Sequence, residues 1–252
     1  MNDLAVQRGY GVFDFFRTIN SKFVFIDDHL DRLFYSAERM RLPVGKTKEE
    51  LKGILSELSQ QNNLPDSGIR VTLTGGYSAD GYSLAAPNLI ITQKKLPVSD
   101  APLPGIKLIT YEHQRQLPDV KTIDYLVAIW LKPYIVQHGA DDVLYHSNGI
   151  ITECPRSNIF IVTEDEKIAT PAINILNGVN RKHILKLASK RYTVEERNIS
   201  IEDVLSAKEV FITSTTKQVL PIVEVNGNKI ADGIPGNITF LLRKELQQLV
   251  YS

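Results

Sequence analysis

A lysine near the middle of the chain lies in a setting that could lower its pKa. Lys121 follows a turn-forming Leu-Pro-Asp at 117–119, and the residues after it that have helical spacing are Ile123, Leu126, Val127 and Trp130. This pattern predicts a helix over 123–138 that is kinked at Pro133. Apolar neighbours disfavour the ammonium, and a neutral amine can form a Schiff base with an aldehyde. Most lysines at helix starts are solvated charges, so Lys121 alone does not indicate this chemistry.

A carboxylate further along the chain provides a second chemical group. Glu153 follows the apolar pair Ile150-Ile151 and precedes a polar Arg-Ser-Asn cluster at 156–158, which runs into a strand pattern at 159–162. A carboxylate at the end of a strand, with hydrogen-bonding side chains beside it, can accept a hydrogen bond from a protonated ring nitrogen. Glu153 is therefore the second candidate for chemistry.

Three motifs together give the chain a resemblance to a known family. Leu-Pro-Asp-Val-Lys-Thr-Ile-Asp-Tyr-Leu at 117–126, Thr-Glu-x-x-x-Ser-Asn-Ile-Phe at 152–160 and Thr-Ser-Thr-Thr at 213–216 occur in that order. They resemble the fold-type IV (class IV) aminotransferases, which use pyridoxal 5'-phosphate (PLP). This family includes D-amino-acid transaminases, branched-chain aminotransferases and aminodeoxychorismate lyases. The resemblance covers nearly the whole chain.

The resemblance implies an α/β (α+β) fold with two domains. We expect a small N-terminal α/β domain at 1–97, a proline-rich linker at 98–105 and a larger C-terminal PLP-binding domain with a mixed sheet at 106–252. Members of the family usually carry a further N-terminal hairpin, and the present sequence is expected to lack it.

Periodicity places the elements within this frame. In the first half the patterns predict strands at 9–19, 23–26, 69–74 and 88–92, with an N-cap at Asp27-Asp28 before a helix to Met40 and a second helix at 48–60. In the second half they predict strands at 106–110, 143–145, 150–151, 159–162, 167–170 and 210–212, a helix opened by 176–181 and a terminal helix at 235–250.

The resemblance also assigns roles to cofactor-binding residues. Lys121 would be the catalytic Schiff-base lysine, and Glu153 would keep the pyridine nitrogen protonated. Arg32 lies off the apolar stripe of its helix and on pattern alone reads as solvated, but His29-x-x-Arg-Leu matches a motif whose arginine binds the cofactor phosphate. The glycine-led turn at 178–181 would offer helix N–H groups to the same phosphate. The expected set is Arg32, Lys121, Tyr125, Glu153, Ser157, Asn158, Val179, Asn180, Ser214 and Thr215, with Tyr125 either bonding the phenolate oxygen or simply in the core.

An amino-acid substrate needs a cation for its α-carboxylate, and a guanidinium suits it. The typical D-amino-acid transaminase has Arg-x-His after Gly-x-Ser-Pro, whereas the matching stretch here is Asp80-Gly81-Tyr82. Arg156 and Arg70, with Arg8 from a partner subunit, are expected to substitute for it, and Phe13 and Thr216 complete the expected substrate-binding set. The favoured function is transamination between a D-amino acid and a 2-oxoacid in a homodimer. The alternatives are a branched-chain L-amino-acid aminotransferase, an aminodeoxychorismate lyase and a scaffold without activity.

Composition argues against several other classes of function. The 252 residues carry 29 basic and 29 acidic side chains, so no electrostatic footprint for nucleic acid or an anionic membrane is expected. The five scattered histidines contain no metal-binding motif, and no dinucleotide fingerprint is present. Gly-Tyr-Ser-Ala-Asp at 76–80 lacks the second glycine of a nucleophile elbow. A single cysteine, Cys154, and the lack of a long apolar stretch favour a cytoplasmic protein.

Overall fold

A computed structural model describes residues 2–97 and 104–251. The chain divides into two compact units, Met1–Asp100 with Asp119–Asp124 and Ala101–Pro118 with Tyr125–Ser252. Of the linker predicted at 98–105, residues 98–103 lie outside the described part. The segment Asp119–Asp124, which carries Lys121, belongs to the first unit, although the sequence pattern placed it in the second domain.

The first unit is a four-stranded antiparallel sheet in the order β2-β1-β3-β4, with helices. Its strands are β1 (Gly11–Ile19), β2 (Lys22–Phe23), β3 (Ser67–Thr74) and β4 (Leu89–Lys95). Its helices are α1 (Leu4–Arg8), α2 (Ile26–Arg39) and α3 (Lys48–Asn62). The long strands and the two long helices confirm the elements predicted from periodicity, whereas α1 was missed because its five residues are too few to show a period.

Alternation along β1 sorts its side chains onto the two faces of the sheet. Val12 and Phe16 are fully buried in a cluster with Leu30 and Leu33 of α2. Asp14 belongs to the same alternating set, and its carboxylate contacts side chains of α2. Phe13 has the opposite orientation and lies opposite Thr72 of β3. Phe13 and Asp14, neighbours in β1, therefore lie on opposite faces of the sheet.

The start of α2 differs from the sequence prediction. The predicted strand at 23–26 is reduced to the two residues of β2, and Phe25 occupies the N-cap position with φ 52° and no side-chain cap. Asp27 and Asp28 lie inside the first turn, where their charges complement the positive end of the helix dipole. The pattern identified the acidic start of the helix but misplaced the cap.

The second unit is a mixed ten-stranded sheet whose main order is β11-β10-β9-β12-β13-β5-β6-β7. The strands are β5 (Ile106–Glu112), β6 (Asp142–Ser147), β7 (Ile150–Ile151), β8 (Glu153–Cys154), β9 (Ser157–Val162), β10 (Ile168–Thr170), β11 (Val194–Glu196), β12 (Glu209–Ser214), β13 (Gln218–Val225) and β14 (Asn228–Lys229). The helices are α4 (Leu126–Trp130), α5 (Lys132–Gln137), α6 (Val179–Ala188), α7 (Ile201–Leu205) and α8 (Asn237–Tyr251). β5 runs parallel to β6 and β13, and β9 runs antiparallel to β12.

Both faces of this sheet are packed. Ile159 and Ile212 lie in a large buried aliphatic cluster, whereas Phe160 and Phe211 are adjacent to them in sequence and stack on each other at 5.0 Å. Because strands covered on both faces read as continuous apolar runs, β9 and β12 were found from the sequence. The predicted mixed α/β fold is confirmed.

The single helix predicted at 123–138 is wrong. The chain forms two short helices, α4 and α5, which meet at Leu131, and Pro133 lies in the first turn of α5, where a proline is tolerated. Residues before 126 are not helical, so Lys121 is not at a helix start. Among the described residues, no helix combines the length and the apolar content that a membrane crossing requires.

Candidate active site

Lys121 lies on an extended segment that pairs with the edge of β1. The N–H of Phe13 donates to the carbonyl of Lys121 at 3.0 Å, and the N–H of Ile123 donates to the carbonyl of Gly11 at 3.0 Å. Val120 is fully buried beside Lys121, and the N–H of Lys121 donates to Ser36 Oγ at 3.2 Å. Backbone bonds thus fix the position of the lysine independently of its side chain.

Glycine is required where the lysine segment meets β1. A Cβ on Gly11 would lie 2.8 Å from the carbonyl oxygen of Leu73 and 3.1 Å from Ile123 Cδ1. The lack of a side chain at Gly11 therefore permits this close backbone approach. Gly9 has a different role, because it ends α1 in the left-handed region at φ 67°.

A phenylalanine ring brings two cationic side chains together in the first unit. The guanidinium carbon of Arg70 lies 3.7 Å from the centroid of the Phe13 ring, and Lys121 Nζ lies 4.6 Å from the same centroid. Arg70 Nε also donates to Thr72 Oγ1 at 3.3 Å. Three of the predicted residues are therefore brought together, with Arg70 and Lys121 both against the Phe13 ring.

The opposite face of β1 holds Arg32. The Asp14 carboxylate accepts hydrogen bonds from Arg32 Nε at 2.8 Å and from Arg32 Nη2 at 2.9 Å, and His29 Nδ1 lies 2.7 Å from Asp14 Oδ1. Burial alone would raise the pKa of Asp14, but Arg32 and His29 outweigh it and lower this pKa well below its usual range. Arg32 is not the solvated residue that the helical pattern suggested, because only 10% of its side chain is exposed.

Because His29 is buried, we expect the stability of the fold to depend on pH. Burial lowers the pKa of His29, and the charges of Arg32 and Lys121 add to the decrease, while Asp14 opposes it. Folding therefore disfavours protonation of His29, so stability falls as the pH falls through about 6.5, the usual pKa of a histidine in an unfolded chain. The loss is at most ~1.4 kcal/mol per pH unit for one group.

We expect His29→Gln to lose less stability than the wild type between pH 7 and pH 5, with a difference of up to about 2 kcal/mol in the free energy of unfolding. Urea unfolding at the two pH values measures it. The control is His138→Gln, which replaces an exposed histidine and should follow the wild type. An identical loss in His29→Gln would show that another group causes the acid sensitivity.

In the second unit, Glu153 is buried and surrounded by donors. It is 4% exposed. Arg115 Nε donates to Glu153 Oε1 at 2.8 Å, the N–H of Leu176 donates to Oε2 at 3.0 Å, and Asn158 Nδ2 lies 3.5 Å from Oε2. The β8–β9 hairpin places Asn158 directly opposite Glu153. The carboxylate is therefore held in one orientation before anything binds to it.

The start of α6 lies against the hydroxyl-rich turn after β12. Gly178 is the N-cap of α6 and has no side-chain cap, so the first N–H groups of this ten-residue helix have no partner within it. Asn180 Nδ2 donates to the carbonyl of Ser214 at 2.7 Å, which ties the helix to the turn. A Cβ at Gly178 would clash with Asn158 Oδ1, so a larger residue there would displace the Asn158 side chain.

Two buried hydroxyls near this turn are orphaned. Ser157 Oγ and Thr213 Oγ1 have no hydrogen-bond partner within the described ranges, and both residues are at most 5% exposed. Thr213 lies opposite Asn158 in the β9–β12 pairing. Unpaired buried hydroxyls are costly, so such groups are expected to meet a polar ligand or water.

The remaining predicted residues lie in more open positions. Arg156 is exposed in the two-residue turn between β8 and β9, and Thr216 is exposed in the turn after β12. Arg8 ends α1, and its Nε donates to the carbonyl of Gly81 at 3.1 Å. Tyr125 is half-buried, and it does not lie one helical turn beyond Lys121, because residues 121–124 are not helical.

Two charged residues of these clusters were not identified from the sequence. Arg115 pairs with Glu153 across 38 positions, and Asp14 pairs with Arg32 across 18 positions. Asp14 did carry a signal, because an acidic residue inside a strand of aromatic and aliphatic residues requires a partner. Arg115 had no comparable signal.

Comparisons with known proteins identify the family. The family described as amino-transferase class IV matches residues 11–225. A D-alanine aminotransferase of Listeria monocytogenes serotype 4b (strain F2365) is 31% identical, with 97% of this chain and 88% of that protein covered. A branched-chain amino acid aminotransferase of T.th. with pyridoxamine 5'-phosphate has a TM-score of 0.91 at 21% identity, covering 98% of this chain and 88% of that one. A putative 4-amino-4-deoxychorismate lyase of Legionella pneumophila has a TM-score of 0.89 at 24% identity, covering 99% and 94%. At these identities the two structures show the fold alone.

The residues described above fit PLP, the cofactor of class IV aminotransferases. A buried carboxylate suits a pyridinium N–H, and an uncapped helix start beside a hydroxyl-rich turn suits a phosphate. The orphaned hydroxyls of Ser157 and Thr213 are further polar groups available to such a ligand. The chain therefore belongs to the class IV aminotransferase family and is a PLP-dependent aminotransferase that acts on small-molecule amino acids and 2-oxoacids.

Proposed function

We propose that this aminotransferase moves the amino group of a D-amino acid to a 2-oxoacid. The observation that carries the substrate proposal is the pair of cations on the Phe13 ring, Arg70 at 3.7 Å and Lys121 at 4.6 Å. An α-amino acid carries its carboxylate one carbon from its nitrogen, so its carboxylate partner must lie close to the reactive amine. The preference for the D series is supported by the similarity to D-alanine aminotransferases.

The proposed roles divide the chemistry among the chain's own residues. The bound cofactor supplies an electron sink for the substrate carbanion. Lys121 Nζ would hold the cofactor, and its free amine would take the proton from the substrate Cα. The Glu153 carboxylate keeps the ring nitrogen protonated. The phosphate would be held by Arg32, by the first N–H groups of α6 at Val179 and Asn180, and by Ser214 and Thr215. Asn158 would support Glu153, Ser157 Oγ would be a further polar group for the cofactor, and Tyr125 would bond the phenolate oxygen.

Substrate binding is assigned mainly to Arg70, with Phe13 as its platform. A guanidinium stacked on an aromatic face keeps its edge N–H groups available for a carboxylate. Arg156 is the second candidate cation because it follows Glu153 by three residues in an exposed turn. Thr216, together with Arg8 of a second copy, completes the proposed substrate-binding set.

Two rival functions remain within the family. The fold is shared with a branched-chain amino acid aminotransferase, and L-leucine, L-valine and L-isoleucine are the alternative substrates. The fold is also shared with a putative 4-amino-4-deoxychorismate lyase, and release of pyruvate from aminodeoxychorismate is the second alternative. All three activities use the same lysine, so the presence of Lys121 does not separate them.

The test is the half-reaction in which an amino acid converts the bound cofactor from its aldehyde to its amine form, followed by absorbance. We expect conversion by D-alanine or D-glutamate. Arg70→Ala should raise the apparent KM about ten- to a hundred-fold, the loss of one charge-assisted hydrogen bond of ~1.5–3 kcal/mol. A KM increase within the same range is expected for Arg156→Ala. The matched control is Arg41→Ala, which removes an exposed arginine of the first unit and should leave KM unchanged.

Each outcome has a definite meaning. Conversion only by branched-chain L-amino acids would make the enzyme a branched-chain aminotransferase. No conversion, together with release of pyruvate from aminodeoxychorismate, would make it a lyase. Unchanged KM values in both Arg70→Ala and Arg156→Ala would contradict the assignment of the carboxylate site, whichever substrate is used.

We also propose that the enzyme is a cytoplasmic homodimer. The proposal for the dimer follows the family resemblance, which places a residue of a second copy in the substrate site, here Arg8. The cytoplasmic location is supported by the single cysteine of the sequence. Sedimentation of the fully active protein as a monomer would contradict the dimer.

A further inference from the structure

Arg115 forms hydrogen bonds with the buried Glu153 carboxylate and with the loop that precedes Lys121 in sequence. Its Nε donates to Glu153 Oε1 at 2.8 Å, and its Nη2 donates to the carbonyl of Pro118 at 2.5 Å. The side chain is only 18% exposed, and that of Glu153 is 5% exposed. One guanidinium therefore contacts both a buried carboxylate and a backbone carbonyl three residues before the lysine.

Several other groups near Glu153 in the described part of the chain are neutral or paired with another residue. Tyr145 of β6 and Cys154 of β8 are buried, and burial followed by the charge of Asp142 raises the pKa of each, so both are neutral near pH 7. Asp142 itself pairs with Lys217 Nζ at 2.9 Å. Asn158 and the N–H of Leu176 are neutral donors. Arg115 is a cation in direct contact with Glu153.

A buried carboxylate that loses its partner becomes easier to protonate. A protonated Glu153 would offer an O–H where the proposed chemistry needs an anionic acceptor. Arg115 therefore affects catalysis through the ionisation of Glu153 and needs no contact with the substrate. Its bond to Pro118 also fixes the loop from which the chain continues to Lys121.

We infer that Arg115 is a positioning residue that keeps Glu153 ionised and oriented for the ring nitrogen of the cofactor. This inference rests on the role proposed above for Glu153. The Arg115 guanidinium acts through that carboxylate and through the Pro118 carbonyl. Arg115→Gln removes the charge, whereas Arg115→Lys keeps the charge and loses the forked geometry that makes both contacts.

The experiment has one readout without cofactor and one with it. Infrared difference spectra of the cofactor-free protein against pH identify the carboxyl band of Glu153 as the band that Glu153→Gln lacks. We expect the protonated band to appear about one to three pH units higher in Arg115→Gln than in the wild type, and near the wild-type value in Arg115→Lys. In the holoenzyme, the acid limb of the pH profile of kcat should likewise shift to higher pH in Arg115→Gln.

The kcat values of the two variants distinguish the effect of the Arg115 charge from the effect of its geometry. We expect kcat at neutral pH to fall about ten- to a hundred-fold in Arg115→Gln and about ten-fold in Arg115→Lys, with KM for the amino acid changed less than about three-fold. The matched control is Arg197→Gln, which also removes a guanidinium bonded to a backbone carbonyl and to carboxylates, those of Glu195 and Asp203. It should leave the band and kcat unchanged.

The inference is overturned if Arg115→Gln loses stability but keeps the wild-type band position and acid limb, or if Arg197→Gln reproduces its effects. If Arg115→Gln does not fold, Arg115→Lys with wild-type kcat overturns it. A wild type without transamination, or near-normal turnover in Glu153→Gln, would instead contradict the proposed function. The infrared comparison depends on neither, so the two failures can be distinguished.

Discussion

Lys121→Ala is expected to lose nearly all transamination, with kcat lower by about four powers of ten or more. The amine is proposed both to hold the cofactor and to move the proton at the substrate Cα, so one substitution removes two functions. The other cation on the same aromatic ring, Arg70, cannot replace it because a guanidinium is not deprotonated in proteins. The rate of the half-reaction with a saturating amino acid measures the effect.

The fold of the variant should be unchanged. The lysine segment is held by its backbone bonds to Phe13 and Ser36 and by buried Val120, and none of these needs the amine. The control is Lys52→Ala, which removes a half-buried lysine that pairs with Asp27 and should keep full activity. Borohydride reduction of the wild type followed by peptide mapping should fix the cofactor to Lys121. A label on any other lysine would sink the assignment.

Local pattern was sufficient for most of the fold. β9 and β12 are buried on both faces and read as continuous apolar runs, and α3 begins with a Thr47–Glu50 capping box and carries a regular apolar stripe. Short elements such as α1 and α7 were not predicted, because five residues do not complete two helical turns. The prediction of one helix at 123–138 was wrong for a different reason. Its apolar residues at helical spacing include Leu126 and Trp130, which are 73% and 66% exposed, so the stripe does not mark a packed helix face.

Sequence likewise predicted the contacts of the site between residues close in the chain, but not those between distant residues. Residues within one motif, such as Glu153 and Asn158, are adjacent because a two-residue hairpin brings them together, so sequence spacing was informative. The surroundings of Lys121 depend on a strand that lies more than a hundred residues earlier in the chain, and pairing across that distance left no local signal. Arg32 and Arg115 gained their meaning only from the carboxylates that the fold places beside them. Charged side chains of this kind read as solvated until their partners are known.

Glu153→Gln is expected to keep the shape of the site and lower turnover by about two powers of ten or more, equivalent to ~3 kcal/mol or more in the activation free energy. The amide has no negative charge with which to favour the protonated ring nitrogen. It also has one acceptor oxygen where the carboxylate has two. Arg115 and the N–H of Leu176 now donate to different oxygens of Glu153, so the amide can satisfy only one of them and presents its NH₂ to the other.

This mismatch predicts two effects that can be measured separately. The unpaired donor should lower the free energy of unfolding by about 1 to 3 kcal/mol, whether or not the cofactor is bound. The loss of charge should lower kcat and alter the absorption of the bound cofactor, with KM for the amino acid nearly unchanged. Glu166→Gln, which removes an exposed carboxylate that pairs with Lys208, is the control for both measurements. Near-normal kcat in a folded, cofactor-loaded Glu153→Gln would rule out the proposed role of this residue, and a loss of stability alone would leave it a structural partner of Arg115.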